Sequence, residues 1–293
     1  MKLLWFSAIL LFANTPDVDD SLLITQDHTP ITSVNRTFFS IPYQGHPQPF
    51  TQLEMLQDLA NKIEKIVYRA PENASLNEHG QIIEEKAGIQ LNRIKFYEQF
   101  YNYYFSKGSS QFEVPVQTIY PRVDSELLSQ IHFQQIGHYA TFYNAINSAR
   151  SNNIHLASSA INNYIVFPGE TFSFNKVVGI RTVKKGYMSA PVIVKGELSE
   201  GIGGGICQVS STLFNAVDNA GLKIIKRYSH SKQVPYVPPG RDATVSWYGP
   251  DFSFQNKYNQ PILIRTKASN GKVSISIYSS DSINFKPRKV PGA

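Results

Sequence analysis

The chain is short of cysteine, of charge and of long apolar runs, and each shortage removes a class of protein. One Cys in 293 residues cannot close an internal disulfide, so the fold is no disulfide scaffold. Charged residues make up only 17% against 42% hydrophobic, which excludes a dominantly disordered chain and a long coiled coil. The formal net charge is +6, yet no Lys/Arg run is longer than a pair, so no nucleic acid is expected as a partner. No stretch approaches the roughly 18 apolar residues of a membrane-spanning helix. His28, His46, His79, His132, His138 and His155 show no metal-ligand spacing, and neither a metal nor another cofactor is expected.

What remains is chain enough for two domains, rich in Tyr (16) and Phe (18). After Met1 and Lys2, the apolar run Leu3 to Ala13 has the charge order and length of a secretory leader. Residues 1–20 are therefore expected to be a signal peptide or N-terminal anchor, and the protein to be extracytoplasmic, secreted or tethered to the membrane by that segment. A buried N-terminal strand or helix is the other reading. Residues 21–49 hold no sustained period and read as a linker or irregular segment. Residues 50–130 read as a small module. Leu53, Leu56, Leu59, Ile63, Ile66 and Val67 recur at helical spacing behind a Thr51-x-x-Glu54 capping box, and a second helical pattern covers Leu91 to Phe105. Phe112, Val114 and Val116 alternate as one strand.

From about residue 135 strand signals dominate. Arg150 to Val166 reads as a helix or extended segment, and Pro191 to Leu198 as a strand with a Lys-Gly turn. Val209, Leu213, Val217 and Ala220 mark a helix ending at Gly221, which sits where a left-handed C-cap belongs. Strands are expected over Lys223–Tyr228, over Ala243–Tyr248, from Phe252, and in a hairpin of Ile262–Lys267 and Val273–Tyr278 about Asn270-Gly271. The fold class is α+β: a small N-terminal α+β module, then a mainly antiparallel β-rich domain over 135–280 with a key helix starting near Cys207. Residues 281–293 form a basic C-terminal tail. Nothing in the pattern speaks to oligomeric state.

One stretch carries chemistry, Gly201-Ile202-Gly203-Gly204-Gly205-Ile206-Cys207-Gln208-Val209-Ser210. Its glycines allow close backbone approach and lead straight into a helix, leaving Cys207 in the first turn. Unpaired N–H groups and the helix dipole favour a thiolate there, and amides from Gly205 to Gln208 can hold an oxyanion. Gly203, Gly204, Gly205, Gln208 and Ser210 are the candidate substrate contacts. A phosphate loop is excluded because no Gly-Lys-Ser/Thr follows. The plain alternative is a small buried Cys behind glycines kept for packing. A thiolate needs a base, and His230, after a strand and before the Pro-rich turn 235–240, is the candidate, with an exposed loop histidine as the alternative. Asp242 can orient that imidazole or pair with Arg241, and Arg241 can hold a substrate carboxylate or close that surface ion pair.

These residues, with Pro168-Gly169-Glu170-Thr171-Phe172-Ser173-Phe174-Asn175, Gly186-Tyr187, Ala190-Pro191-Val192-Ile193, His230-Ser231 and Val237-Pro238-Pro239-Gly240-Arg241-Asp242-Ala243-Thr244-Val245, resemble the VanW domain family. Tyr68 to Ala74 and Ala87 to Leu91 resemble a peptidoglycan-binding domain that often precedes it. Ser229 and Ile180 depart from the family pattern, where Asn and Pro are common. The resemblance implies an extracytoplasmic, Gram-positive cell-wall protein linked to glycopeptide resistance, with stem peptides and glycan of peptidoglycan as partners. It also implies L,D-transpeptidase chemistry forming 3-3 cross-links through a thioester on Cys207. The alternatives are a non-catalytic peptidoglycan-binding accessory protein and a cysteine peptidase or amidase acting on the same polymer.

Overall fold

The computed structural model describes residues 20–43, 46–194 and 197–292; all but the last residue of the expected leader, and the Lys195-Gly196 turn, lie outside them. The chain divides into two compact units. One is the described part of Met1–Asn73 with Glu85–Arg122, and the other is Ala74–Glu84 with the described part of Val123–Ala293. The mixed α+β class holds in both. Among the described residues no helix is long and apolar enough to cross a membrane.

In the first unit, helix α1 (Leu53–Val67) buries Leu56, Leu59, Ala60, Ile63 and Val67, the spacing that puts one apolar stripe on one face. The expected capping box is not formed. Thr51 is paired with Ser40 in a strand ladder, so its backbone is committed before the helix starts, and Gln52 caps without a side-chain bond. Helix α2 (Arg93–Phe105) is capped by Asn92 and packs Phe96, Phe100, Tyr103 and Tyr104 into the same core. Residues 21–49 are not an irregular linker. Ser21–Gln26 and Thr29–Asn35 form an antiparallel hairpin about Asp27-His28, both at positive φ, and Ser21–Gln26 also pairs in parallel with Ser110–Glu113. Leu22 and Ile24 are fully buried, which is why the segment is ordered as a strand. The single strand expected through Val116 is two, Ser110–Glu113 and Val116–Ile119, broken around Pro115 and joined to different sheets.

The second unit takes residues that had been grouped with the first. The short hairpin Ser75–Leu76 and Ile82–Ile83 and helix α3 (Ser125–Ile131) share a core of Ala74, Leu76, Val123, Leu128, Ile131 and Leu263. Arg265 fixes that hairpin by donating to the Leu76 and Asn77 carbonyls. The module boundary is thus discontinuous in sequence. The main sheet orders Gln134–Phe142, Lys272–Ser279, Ile262–Ser269 and Tyr164–Val166, all antiparallel, and the Asn270-Gly271 turn has φ of 52° and 75° as a primed hairpin requires. Helices α4 (Ser148–Ile161) and α6 (Ile206–Asn219) pack against this sheet, with α5 (Phe174–Val178) beside α4. A second sheet orders Thr171–Ser173, Ser253–Gln255 and Lys223–Lys226. Ser189–Val194 and Glu197–Ile202 form a hairpin that delivers the chain to α6.

Helix α6 is the centre of the unit: from Ile206 to Val217 every residue but Cys207 is buried. It ends in a Schellman motif. The Gly221 N–H bonds the Asp218 carbonyl at 2.9 Å, the Leu222 N–H bonds the Val217 carbonyl at 3.0 Å, and Gly221 has φ 78°. The residues read as a C-terminal tail close over this end. Ile283 is buried, and the Arg288 amide donates to the Asn219 carbonyl at 3.0 Å. A Cβ on Gly221 would collide with the Lys286 carbonyl oxygen. Gly221→Ala is therefore expected to cost about 1–3 kcal/mol from the left-handed backbone alone, with the collision added. Urea unfolding of the purified protein checks this, and an unchanged midpoint would contradict it.

Candidate active site

The turn Gly203 to Gly205 drops the chain into α6 with Gly205 as N-cap at φ 106°, a left-handed position that only glycine takes freely. Cys207 is the second helical residue. Its Sγ accepts from the Val245 amide at 3.5 Å and lies 3.8 Å from the Thr244 hydroxyl. The Ile206 and Gln208 amides are already bonded to the Gly203 and Gly205 carbonyls. Among the described residues the Gly205 and Cys207 amides have no acceptor, so of the amides from Gly205 to Gln208 these two are free to bind an anion.

What brings the other groups to Cys207 is the polar face of α6. Ser210 donates to the Ala243 carbonyl at 2.6 Å, the Ala243 amide donates to Ser211 at 2.8 Å, and Asn215 donates to the Arg241 carbonyl at 2.8 Å. The expected strand over Ala243–Tyr248 does not form. Helix side chains take the backbone bonds that a sheet ladder would have used. Pinned this way, Asp242 Oδ2 accepts from both the His230 amide and His230 Nδ1, each at 2.6 Å. With Nδ1 engaged, Nε2 is the nitrogen left for the thiol. Burial pushes the Cys207 thiol up, but hydrogen bonding to His230 and to Val245 and the imidazolium charge outweigh it, and the thiol lies below its ordinary value. His230 is raised: burial lowers it, and Cys207 and Asp242 overcome that. Asp242, which burial alone would raise, is held below the ordinary carboxylate range by His230. Thiolate and imidazolium therefore favour one another.

Cys207 and His230 open on a cleft of about 960 Å³ that Gly203, Gly205 and Gln208 also line. The other candidates sit elsewhere. Gly204 is buried against the Ala190 and Pro191 backbone, Ser210 is buried beneath the Ala243 segment, and Asp242 acts from behind His230. Arg241 neither pairs with Asp242 nor faces the cleft. Its guanidinium donates to Asn215 at 2.7 Å and pairs with Asp218 at 2.8 Å, while Arg227 contacts Asp242 at 3.7 Å. Sequence reasoning missed the two cations that do line the cleft, Arg150 and Arg181. Neither belongs to a spacing pattern, so nothing marked them. It also missed Tyr236, whose phenol burial keeps neutral beside Cys207.

The sequence model of the family described as VanW like protein matches residues 149–278, which include Cys207, His230 and Asp242. Along nearly its whole length the chain is similar to a second protein. It is 55% identical over 287 residues, 98% of this chain and 94% of the other, to the "Uncharacterized protein YoaR" of Bacillus subtilis (strain 168). The chain belongs to the VanW-like family. The chain is also similar to the "Vancomycin B-type resistance protein VanW" of Enterococcus faecalis (strain ATCC 700802 / V583), 35% identical over 99 residues, 32% of this chain and 36% of that protein. No solved structure matches the chain.

Because His230 lowers the thiol and Cys207 raises the imidazole, each charged form stabilises the other and the thiolate persists to lower pH than in free cysteine. Alkylation of Cys207 by iodoacetamide should fall only as pH drops through the lowered thiol value. Asp242→Asn removes the charge that holds His230 cationic and should move the inflection up by about one pH unit. A profile identical to that of free cysteine, indifferent to Asp242→Asn, would contradict this geometry.

Proposed function

We propose that the VanW-like domain is a cysteine acyltransferase of the cell wall, an L,D-transpeptidase that forms 3-3 cross-links in peptidoglycan. The observation that carries the reading is the Cys207, His230 and Asp242 alignment at the first turn of α6, inside a cleft large enough for a peptide. The name of the Enterococcus faecalis relative, a vancomycin resistance protein, supports a role at the cell wall. The Cys207 thiolate attacks the carbonyl at the L-centre of the diamino acid in a donor tetrapeptide. The Gly205 and Cys207 amides hold the oxyanion. The C–N bond breaks, His230 gives its proton to the departing D-Ala amine, and a thioester remains. The side-chain amine of a second stem, deprotonated by His230, then attacks the thioester and releases the thiolate. Water in place of that amine gives carboxypeptidase activity. In this reading the first unit supplies affinity for glycan or stem, and the apolar leader places the protein outside the membrane.

Mass spectrometry of protein incubated with disaccharide-tetrapeptide muropeptides tests the proposal. The expected result is loss of D-Ala with dimer formation or an acyl adduct on Cys207, reduced roughly 10³-fold or more in Cys207→Ala. Unchanged muropeptides from folded protein that binds them would move the assignment to a non-catalytic wall-binding role.

A further inference from the structure

Two half-buried guanidinium groups line the cleft without an anion to answer them. Arg181 follows α5 and donates one nitrogen, Nη2, to the amide oxygen of Asn175 at 2.8 Å; its Nη1 is buried with no partner. Arg150, on the first turn of α4, donates Nη2 to the amide oxygen of Gln208 at 2.9 Å. Both acceptors are neutral, and both are fixed. Asn175 is tied by its own amide to the Ser246 and Pro250 carbonyls, and Gln208 to Thr141 and the Phe142 carbonyl. Among the described residues neither arginine is ion-paired with a carboxylate. The nearest acid in charge terms, Asp251, is engaged by the Ser173 hydroxyl and the Asn175 amide. Taking a cation partly out of water without a counter-charge is unfavourable, and an anion entering the cleft would relieve it.

The glycine turn is shaped around these side chains. A Cβ on Gly203 would stand 3.4 Å from Arg181 Cβ, and one on Gly205 would stand 3.0 Å from Arg150 Cγ. Both arginines feel the charge of Cys207. The planar fork of a guanidinium, with one arm already anchored and the other free, matches a carboxylate. In a peptide cleaved at its last bond, the terminal carboxylate lies three bonds from the acyl carbon, within reach of a group lining the same cleft as the nucleophile.

We propose that Arg181, supported by Arg150, receives the α-carboxylate of a peptide terminus, so that the cleft accepts chains ending one residue beyond the carbonyl that Cys207 attacks. This rests on the acyl-transfer reading and narrows its substrates to free C-termini. Gln208 and Asn175 act as positioning residues for the two guanidinium groups.

The test separates binding from turnover. Calorimetry of the Cys207→Ala protein compares a stem tetrapeptide ending in D-Ala with its C-terminal amide. The acid should bind about tenfold to a hundredfold more tightly, Arg181→Gln should erase that preference, and Arg181→Lys should restore part of it. Equal binding of acid and amide, a preference that survives Arg181→Gln, or no binding of either peptide would overturn the proposal. If the wild-type protein turns over no muropeptide while Cys207→Ala still prefers the acid, the catalytic reading fails and only the capture of a terminal carboxylate by Arg181 stands.

Discussion

The site depends on a seam of hydrogen bonds between the polar face of α6 and the backbone of residues 241–243. Ser210, Ser211 and Asn215 are wholly buried, and a buried polar group left unpaired costs on the order of 1–3 kcal/mol. Each also bonds a carbonyl of its own helix, but the Ala243 amide and carbonyl and the Arg241 carbonyl meet these side chains only in the observed register. Sliding that segment by one residue would orphan several groups at once, so the seam specifies one register rather than merely adding stability. Asp242 is carried between those pinned residues, and its carboxylate fixes the ring and the backbone of His230 together.

Electrostatics inside the cleft follow from this. Three charged partners of the triad stabilise one another at short range, in surroundings where water screens little. The helix start adds unpaired amides on the side where negative charge would develop. The stems of Arg150 and Arg181 pack where Gly205 and Gly203 leave room, so the same turn that aims Cys207 also seats the two cations. Loop, helix and cations form one built unit, although α4, α5 and α6 are far apart in sequence.

How much of this was legible beforehand depended on whether the signal was local. The helix at Cys207, its end at Gly221 and the Asn270-Gly271 hairpin could be read because spacing and turn chemistry write them into adjacent residues. The pairing of His230 with Asp242 could only be offered as one option, since it is set by the seam. Ala243–Tyr248 looked like a strand because Val245 and Trp247 alternate, and the competing side-chain partners sit about 30 residues earlier on α6. Ser21–Asn35 was missed because Asp27-His28 is an unusual primed turn. Ala74–Glu84 was placed in the wrong unit because burial on Leu263 leaves no local trace. The arginines were invisible for the opposite reason: a lone Arg has no period, and only the lack of a partner in three dimensions makes it notable.

Asp218, at the far end of α6, holds Arg241 with one carboxylate oxygen and Arg288 with the other. The segment that carries the triad acid and the strap that closes over the helix thus share a single counter-charge, about 16 Å along the helix from the thiol. Any event that lifts the strap, a protease nick or a docking protein, leaves Arg241 with a partner freer to move. The placing of Asp242 then rests on the bonds that Ser210, Ser211 and Asn215 make to Arg241 and Ala243.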